Sequence, residues 1–142
     1  MSVYLDTSVV VPLFLIDSFA LRARAFLTTR PSNVLVSDFV SAEFASVVGI
    51  RVRMKTLRIA EGRAAFANFD AWTKRYASVT QILASDIRYA EAMLRRLDLN
   101  LRAPDAIHIA IARRLGAELA TFDTKLARSG RKLGTPSVVL LP

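Results

Sequence analysis

The stretch Val3-Tyr4-Leu5-Asp6-Thr7-Ser8 governs how the rest of the chain is read. A short β-prone run ends in a carboxylate, two hydroxyl residues follow, and the apolar run Val9 to Ile16 begins. That order predicts a first strand over about Val3 to Asp6, with a helix from Ser8 to about Ile16. Pro12 fits that helix only in its first turn or as a kink. The strand delivers Asp6 to its C-terminal tip, and in an open α/β sheet such tips face the ligand crevice. Fold and function therefore turn on what else reaches the same edge.

Working outward, Asp17-Ser18 resembles a cap for a second helix that ends before Pro31, with Arg22, Arg24 and Arg30 mostly on its wet side. Val34-Leu35-Val36 reads as a second strand buried on both faces, as in a parallel sheet. A helix from Ser37 or Asp38 to about Met54 ends in the basic knot Arg51, Arg53, Lys55 and Arg58. The next helix, Arg58 to Tyr76, follows without a strand between, so the two form a hairpin beside the sheet. Its Phe66, Phe69 and Trp72 read as core residues rather than as a partner surface. Val79 to Leu83 is the expected third strand, and Ser85-Asp86 the cap of a helix from Ile87 to Leu97. A helix from Ala103 to about Leu115 has Pro104 in its first turn and Gly116 as its stop. Glu118 to Phe122 reads as the fourth strand and Thr124 to Arg128 as one helical turn. Gly130 and Gly134 then punctuate a basic loop before a last strand, Ser137 to Leu141. Alternating strands and helices predict an α/β fold in which a small, mainly parallel sheet is flanked by helices. Nothing divides residues 1–142 into a second domain.

Composition narrows the chemistry. Of the 142 residues, 53% are hydrophobic and 23% charged, which suits a compact globule. The chain has no cysteine and one histidine, His108, so disulfides, thiolate sites and multi-histidine zinc sites are excluded. Any metal site must be built from oxygen, which favours magnesium or manganese. A net charge of +8 suits a polyanionic partner, and equally suits mere solubility. Val9 to Ile16 is too short to span a membrane, and the chain reads as soluble and cytoplasmic.

Four acids fall at element boundaries or among apolar residues: Asp6, Glu43, Asp105 and Asp123. Each has an ordinary use. Asp6 can cap the helix after strand one, Asp105 suits a first helical turn, and Asp123 suits an Asx-turn. Glu43, with Phe39, Val40 and Val47 as helical neighbours, needs a pairing partner or a metal. Jointly, Asp6 and Asp123 follow parallel strands and share one sheet edge, and helices starting near Asp38 and Ala103 bring Glu43 and Asp105 close to it. Four such carboxylates repel unless a divalent ion joins them. A bound ion would activate water for in-line attack on a phosphodiester, and basic surroundings would hold the polyanion.

Val3-Tyr4-Leu5-Asp6-Thr7-Ser8, Val36-Ser37-Asp38-Phe39-Val40-Ser41-Ala42-Glu43, Ala103-Pro104-Asp105-Ala106-Ile107-His108-Ile109-Ala110 and Ala120-Thr121-Phe122-Asp123 together resemble the PIN-domain family, in particular the VapC-type toxins of bacterial toxin–antitoxin pairs. The resemblance spans nearly the whole chain. It implies a three-layer α/β fold and a Mg2+-dependent endoribonuclease in which Mn2+ can substitute. It maps the catalytic, metal-holding acids onto Asp6, Glu43, Asp105 and Asp123, with supporting hydroxyls at Thr7, Ser8 and Thr121. It further implies an RNA substrate, a homodimer and a cognate antitoxin that neutralises the toxin.

The alternative is a PIN-fold module that binds nucleic acid with its partner and does not cleave it. His108, three residues after Asp105, reads first as a hydrogen-bonded structural histidine and second as a phosphate or ligand contact. Asp86 and Asp98 read as a cap and a surface acid. The basic stretch Arg51 to Arg63 reads equally as an RNA or antitoxin contact and as a solvated turn.

Overall fold

The computed structural model describes residues 2–29 and 33–140. Five strands, β1 (Ser2–Leu5), β2 (Asn33–Ser37), β3 (Ala77–Thr80), β4 (Glu118–Thr121) and β5 (Ser137–Val139), form one parallel sheet in the order β3-β2-β1-β4-β5. Seven helices flank it: α1 (Thr7–Phe14), α2 (Ala20–Thr29), α3 (Asp38–Arg53), α4 (Ile59–Tyr76), α5 (Ala84–Leu94), α6 (Ala103–Arg114) and α7 (Thr124–Lys132). The chain winds outward from β1 to β3, returns through α5 and α6, and lays β4 on the other side of β1. The strand order therefore reverses between β1 and β4, the place where open α/β sheets form their ligand crevice.

Val3, Tyr4 and Leu5 are all buried, as a central strand covered on both faces requires. Tyr4 meets His108 of α6, so Val3 and Leu5 point to the opposite face by the two-residue alternation of a strand. On the helical side built by α1, α3 and α4, Phe14 packs edge-on against Phe44, Phe69 and Trp72, with ring centroids 5.5–5.9 Å apart. The rings of the predicted hairpin are thus packed inward. No helix among the described residues is long and apolar enough to cross a membrane.

Several expected boundaries move. The helix after β1 runs from Thr7 to Phe14, and Pro12 lies past its first turn; it withdraws one donor, and the helix ends two residues later. The third strand lies at Ala77–Thr80 rather than Val79 to Leu83, because Arg75-Tyr76 leads straight from α4 into it. Helix α5 starts at Ala84, earlier than expected. Asp86 serves from within its first turn, accepting the Leu83 N–H at 2.8 Å while forking onto Arg114 at 2.8 and 2.9 Å. The strands expected at Glu118 to Phe122 and Ser137 to Leu141 stop at Thr121 and Val139; Leu141, like Arg30 and Pro31, lies outside the described residues.

Helix α7 runs four residues beyond the single turn expected over Thr124 to Arg128, and Gly130 lies inside it rather than in a loop. The glycine answers a close approach: a Cβ built there would stand 2.3 Å from Ser137 Oγ of β5. Gly130→Ala is therefore expected to lower stability by about 1–3 kcal/mol through overpacking, against the preference of helices for alanine. Urea denaturation checks this, and a variant as stable as the parent would show that α7 and β5 can part without cost.

Candidate active site

The site is built on the pairing of β1 with β4. Leu5 is in register with Ala120, which brings the next residues, Asp6 and Thr121, side by side. The Asp6 N–H donates to the Ala120 carbonyl at 3.2 Å. The Asp6 side chain, in a residue only 4% exposed, makes no helix-capping hydrogen bond. Its Oδ1 accepts from Ser8 Oγ and its Oδ2 from Thr121 Oγ1, both at 2.6 Å. Ser8 Oγ in turn accepts the Phe122 N–H, and Thr121 Oγ1 the Asp123 N–H, each at 2.9 Å. Two hydroxyls thus carry the polarity of the backbone after β4 to a carboxylate at the end of β1.

Glu43 projects from α3 beside this pair. Its Oε1 accepts from Thr7 Oγ1 at 2.6 Å and from His108 Nε2 at 2.5 Å. His108 is 3% exposed, and its Nδ1 lies 2.9 Å from the Tyr4 hydroxyl, itself 2.8 Å from Ser37 Oγ. Ser37 caps α3 by accepting the Val40 N–H at 3.1 Å. An ionised Glu43 only accepts, so a neutral His108 must carry its proton on Nε2 and accept at Nδ1. Tyr4 then donates to Nδ1, Ser37 donates to Tyr4, and every polar atom along the line is satisfied. His108 is therefore the hydrogen-bonded buried histidine expected from its neighbours, and one of its partners is a candidate site acid. Tyr4 and Ser37 were not singled out in the sequence for any such role. The available signal was a phenol inside an otherwise apolar central strand, which demands a partner.

The charges respond to these surroundings. Burial pushes the Asp6 carboxyl above the ordinary aspartate range; the Ser8 and Thr121 hydroxyls offset this only in part. Burial also pushes Glu43 up, but the hydrogen bond from His108, the Thr7 hydroxyl and the nearby Arg102 outweigh it and hold Glu43 below the ordinary glutamate range. Burial raises Tyr4 far above the usual tyrosine range, so it stays a neutral donor.

The two remaining acids keep the local uses expected of them. Asp105 Oδ2 accepts the Arg102 N–H at 3.1 Å in the first turn of α6. Asp123 caps α7, its Oδ1 accepting the Lys125 and Leu126 N–H groups at 2.9 and 3.2 Å. Asp123 is tied to Asp6 through Thr121, and Asp105 lies one helical turn before His108 on α6. Among the described residues, no three acidic or histidine side chains lie close enough to grip one metal ion as they stand. The donor set nevertheless fits a hard cation: all oxygen, and centred on a buried carboxylate whose two close partners are neutral hydroxyls. Arg51, from the basic stretch, turns inward to the chain itself, donating to the Ile16 carbonyl at 3.2 Å and facing Asp17 at 3.8 Å.

The chain belongs to the PIN domain family, which it matches over residues 3–132. Among solved structures it is similar to VapC20 of Mycobacterium tuberculosis, a toxin that cleaves the sarcin–ricin loop, with 23% identity and a TM-score of 0.72 over 90% of this chain and 95% of that one. It is also similar to VapBC2 of Rickettsia felis bound to promoter DNA, at 16% identity and a TM-score of 0.68 over 98% of both chains. A toxin–antitoxin complex from Klebsiella pneumoniae matches at 20% identity and a TM-score of 0.63, again over 98% of both. No curated protein is similar enough in sequence to match. These structures share the five-stranded, helix-flanked fold, and PIN domains as a family are nucleases that typically use a divalent metal.

Tyr4→Phe keeps the ring and removes the hydroxyl that joins Ser37 to His108. It is expected to cost about 1–3 kcal/mol, the penalty for stranding buried polar groups. Urea denaturation reads the loss, and an unchanged midpoint would mean that the line of bonds is dispensable.

A second expectation concerns pH. An acid raised in the folded state adds stability that is complete below its unfolded value and lost as pH rises through the folded one. Glu43, lowered, has the opposite sign: its contribution is present above its unfolded value and lost as pH falls through the folded one. In EDTA, Asp6→Asn should therefore raise the denaturation midpoint at neutral pH and leave little difference below pH ~4. A lower midpoint at neutral pH would show that the charged form of Asp6 is well accommodated without a cation.

Proposed function

We propose that the protein is a divalent-metal-dependent endoribonuclease, the toxin of a toxin–antitoxin pair. The observation that carries this reading is the placement of the Asp6 carboxylate, buried between Ser8 and Thr121 at the reversal of strand order, with Glu43 fixed beside it. A burial that disfavours the charged form is relieved when a cation binds there. In this reading Asp6, Glu43, Asp105 and Asp123 would hold Mg2+, or Mn2+ in its place, and the ion would supply stabilisation of charge on the phosphate under attack.

The chain's own groups do the rest. Glu43, kept ionised by the His108 Nε2–H and the Thr7 hydroxyl, accepts a hydrogen bond from the attacking water and orients it. Thr7, Ser8 and Thr121 hold the two central carboxylates in place, so that little reorganisation is needed when charge develops. Asp105 and Asp123 each direct one oxygen to a helix N-terminus and complete the donor set with the other. The net charge of +8 draws the RNA phosphates toward an otherwise acidic crevice. RNA cleaved this way carries 5′-phosphate and 3′-hydroxyl ends.

The antitoxin belongs to the same proposal. Leu13, Phe14, Leu27, Val34, Trp72 and Tyr76 line an apolar groove that includes none of the four acids, which supports a protein partner docking on the helical layer. A homodimer is part of the proposal through the family resemblance.

Total cellular RNA incubated with the isolated protein and Mn2+ or Mg2+, with cut ends mapped, tests the reading. Wild type is expected to cleave in metal and not in EDTA, and Asp6→Asn to be folded and inactive. A folded Asp6→Asn variant with full activity sinks the assignment, and metal-dependent RNA binding without any cleavage favours the non-cleaving module.

A further inference from the structure

The turn between α1 and α2 is tied down with unusual care for a surface segment. Asp17 Oδ1 accepts the Phe19 N–H at 2.8 Å, and Arg51 holds both the Ile16 carbonyl and the Asp17 carboxylate. The turn exposes Ile16 almost fully and Phe19 by 38%, and of the two only Phe19 reaches the chain beside the acids. Its ring stacks on Phe122, with centroids 4.5 Å apart and planes inclined by 22°. Phe122 is held in turn by its N–H on Ser8 Oγ, and it stands between Thr121, which binds Asp6, and Asp123. The Arg22 guanidinium lies over the Phe19 ring, 5.5 Å from its centroid. A partly exposed flat ring, backed by a second ring and overlaid by a planar cation, therefore adjoins the acid site. On the chain leaving that site, α7 turns Lys125 and Arg128 to solvent.

We infer that Phe19, backed by Phe122 and overlaid by the movable Arg22, is a stacking subsite for one unpaired nucleobase of the RNA, next to the phosphodiester that is cut. The inference rests on the ribonuclease reading for its choice of ligand. Aromatic rings bind bases face to face with little regard to sequence, and only bases free of a duplex can reach them. A flexible arginine gives way to an entering base and then stacks on it. The base's flanking phosphates are drawn to Lys125 and Arg128. A nucleotide uses both the ring and the neighbouring cations at once, through its base and its phosphates.

The test uses the full chain in EDTA, so that binding is read without cleavage. Unpaired RNA oligomers carry 2-aminopurine at each position in turn, and fluorescence quenching reports stacking. Wild type is expected to quench the probe at one position and to leave the corresponding duplex unquenched. Phe19→Ala should abolish that quenching and weaken binding by about tenfold, whereas Phe19→Tyr, which keeps the plane, should retain both. An oligomer made abasic at the quenched position should bind as weakly to wild type as the intact oligomer binds to Phe19→Ala. Equal quenching by wild type and Phe19→Ala, or full-strength binding of the abasic RNA, overturns the proposal. So does a Phe19→Ala variant that keeps RNA binding and loses only a protein partner. Because no cut is required, failure of wild type to cleave in Mn2+ would sink the nuclease reading and leave this result standing.

Discussion

Asp6 sits almost wholly out of water between two hydroxyls, and a carboxylate in that position must be met by hydrogen bonds or by a cation. The pairing of β1 with β4 is what creates the situation. It sets Leu5 against Ala120, so the residue after each strand meets the other, acid against hydroxyl. Had β4 been placed elsewhere in the sheet, Asp6 would lack Thr121, and Thr121 could not pass on the N–H of Asp123. The hydroxyls satisfy the geometry of the carboxylate without neutralising it, which leaves a buried site suited to a positive ion.

Glu43 shows the complementary arrangement. It is half-buried, yet held in its charged form by a donor line that begins at a helix cap and runs through Ser37, Tyr4 and His108. Two carboxylates on neighbouring elements are therefore pushed in opposite directions by their surroundings, one toward neutrality and one toward charge. In the proposed nuclease such a separation would give these chemically similar groups different tasks. The ring of Tyr4 is as important to this as its hydroxyl, because its place in the central strand makes the line as rigid as the sheet.

Much of the site was legible because its residues lie where the chain changes element. Asp6, Ser37, Asp105 and Asp123 all stand at helix starts, where local chemistry favours short polar side chains. Their ordinary uses are met: Asp105 and Asp123 make the local bonds expected of them, with one oxygen each. The hydroxyls Thr7, Ser8 and Thr121 came from family resemblance, and the structure shows what each one touches. The roles of Tyr4 and Phe19 are not legible locally, since an aromatic residue in sequence carries no mark of whether its edge or face meets a core, a histidine or open solvent.

The sequence by itself determined the alternation of strands and helices, the α3–α4 hairpin, the oxygen-only donor set, the three aspartates at element ends and Glu43 among the apolar residues of α3. These follow from periodicity, capping chemistry and composition, which act over a few residues and are visible in a short window. Tertiary structure alone decided the strand order β3-β2-β1-β4-β5, the side-by-side placing of Asp6 and Thr121, the bond from His108 to Glu43, and the glycine contact inside α7. Each of these joins residues far apart in the chain. Pairing of that kind is settled by how whole layers pack, and no local pattern encodes which distant strand or side chain will arrive.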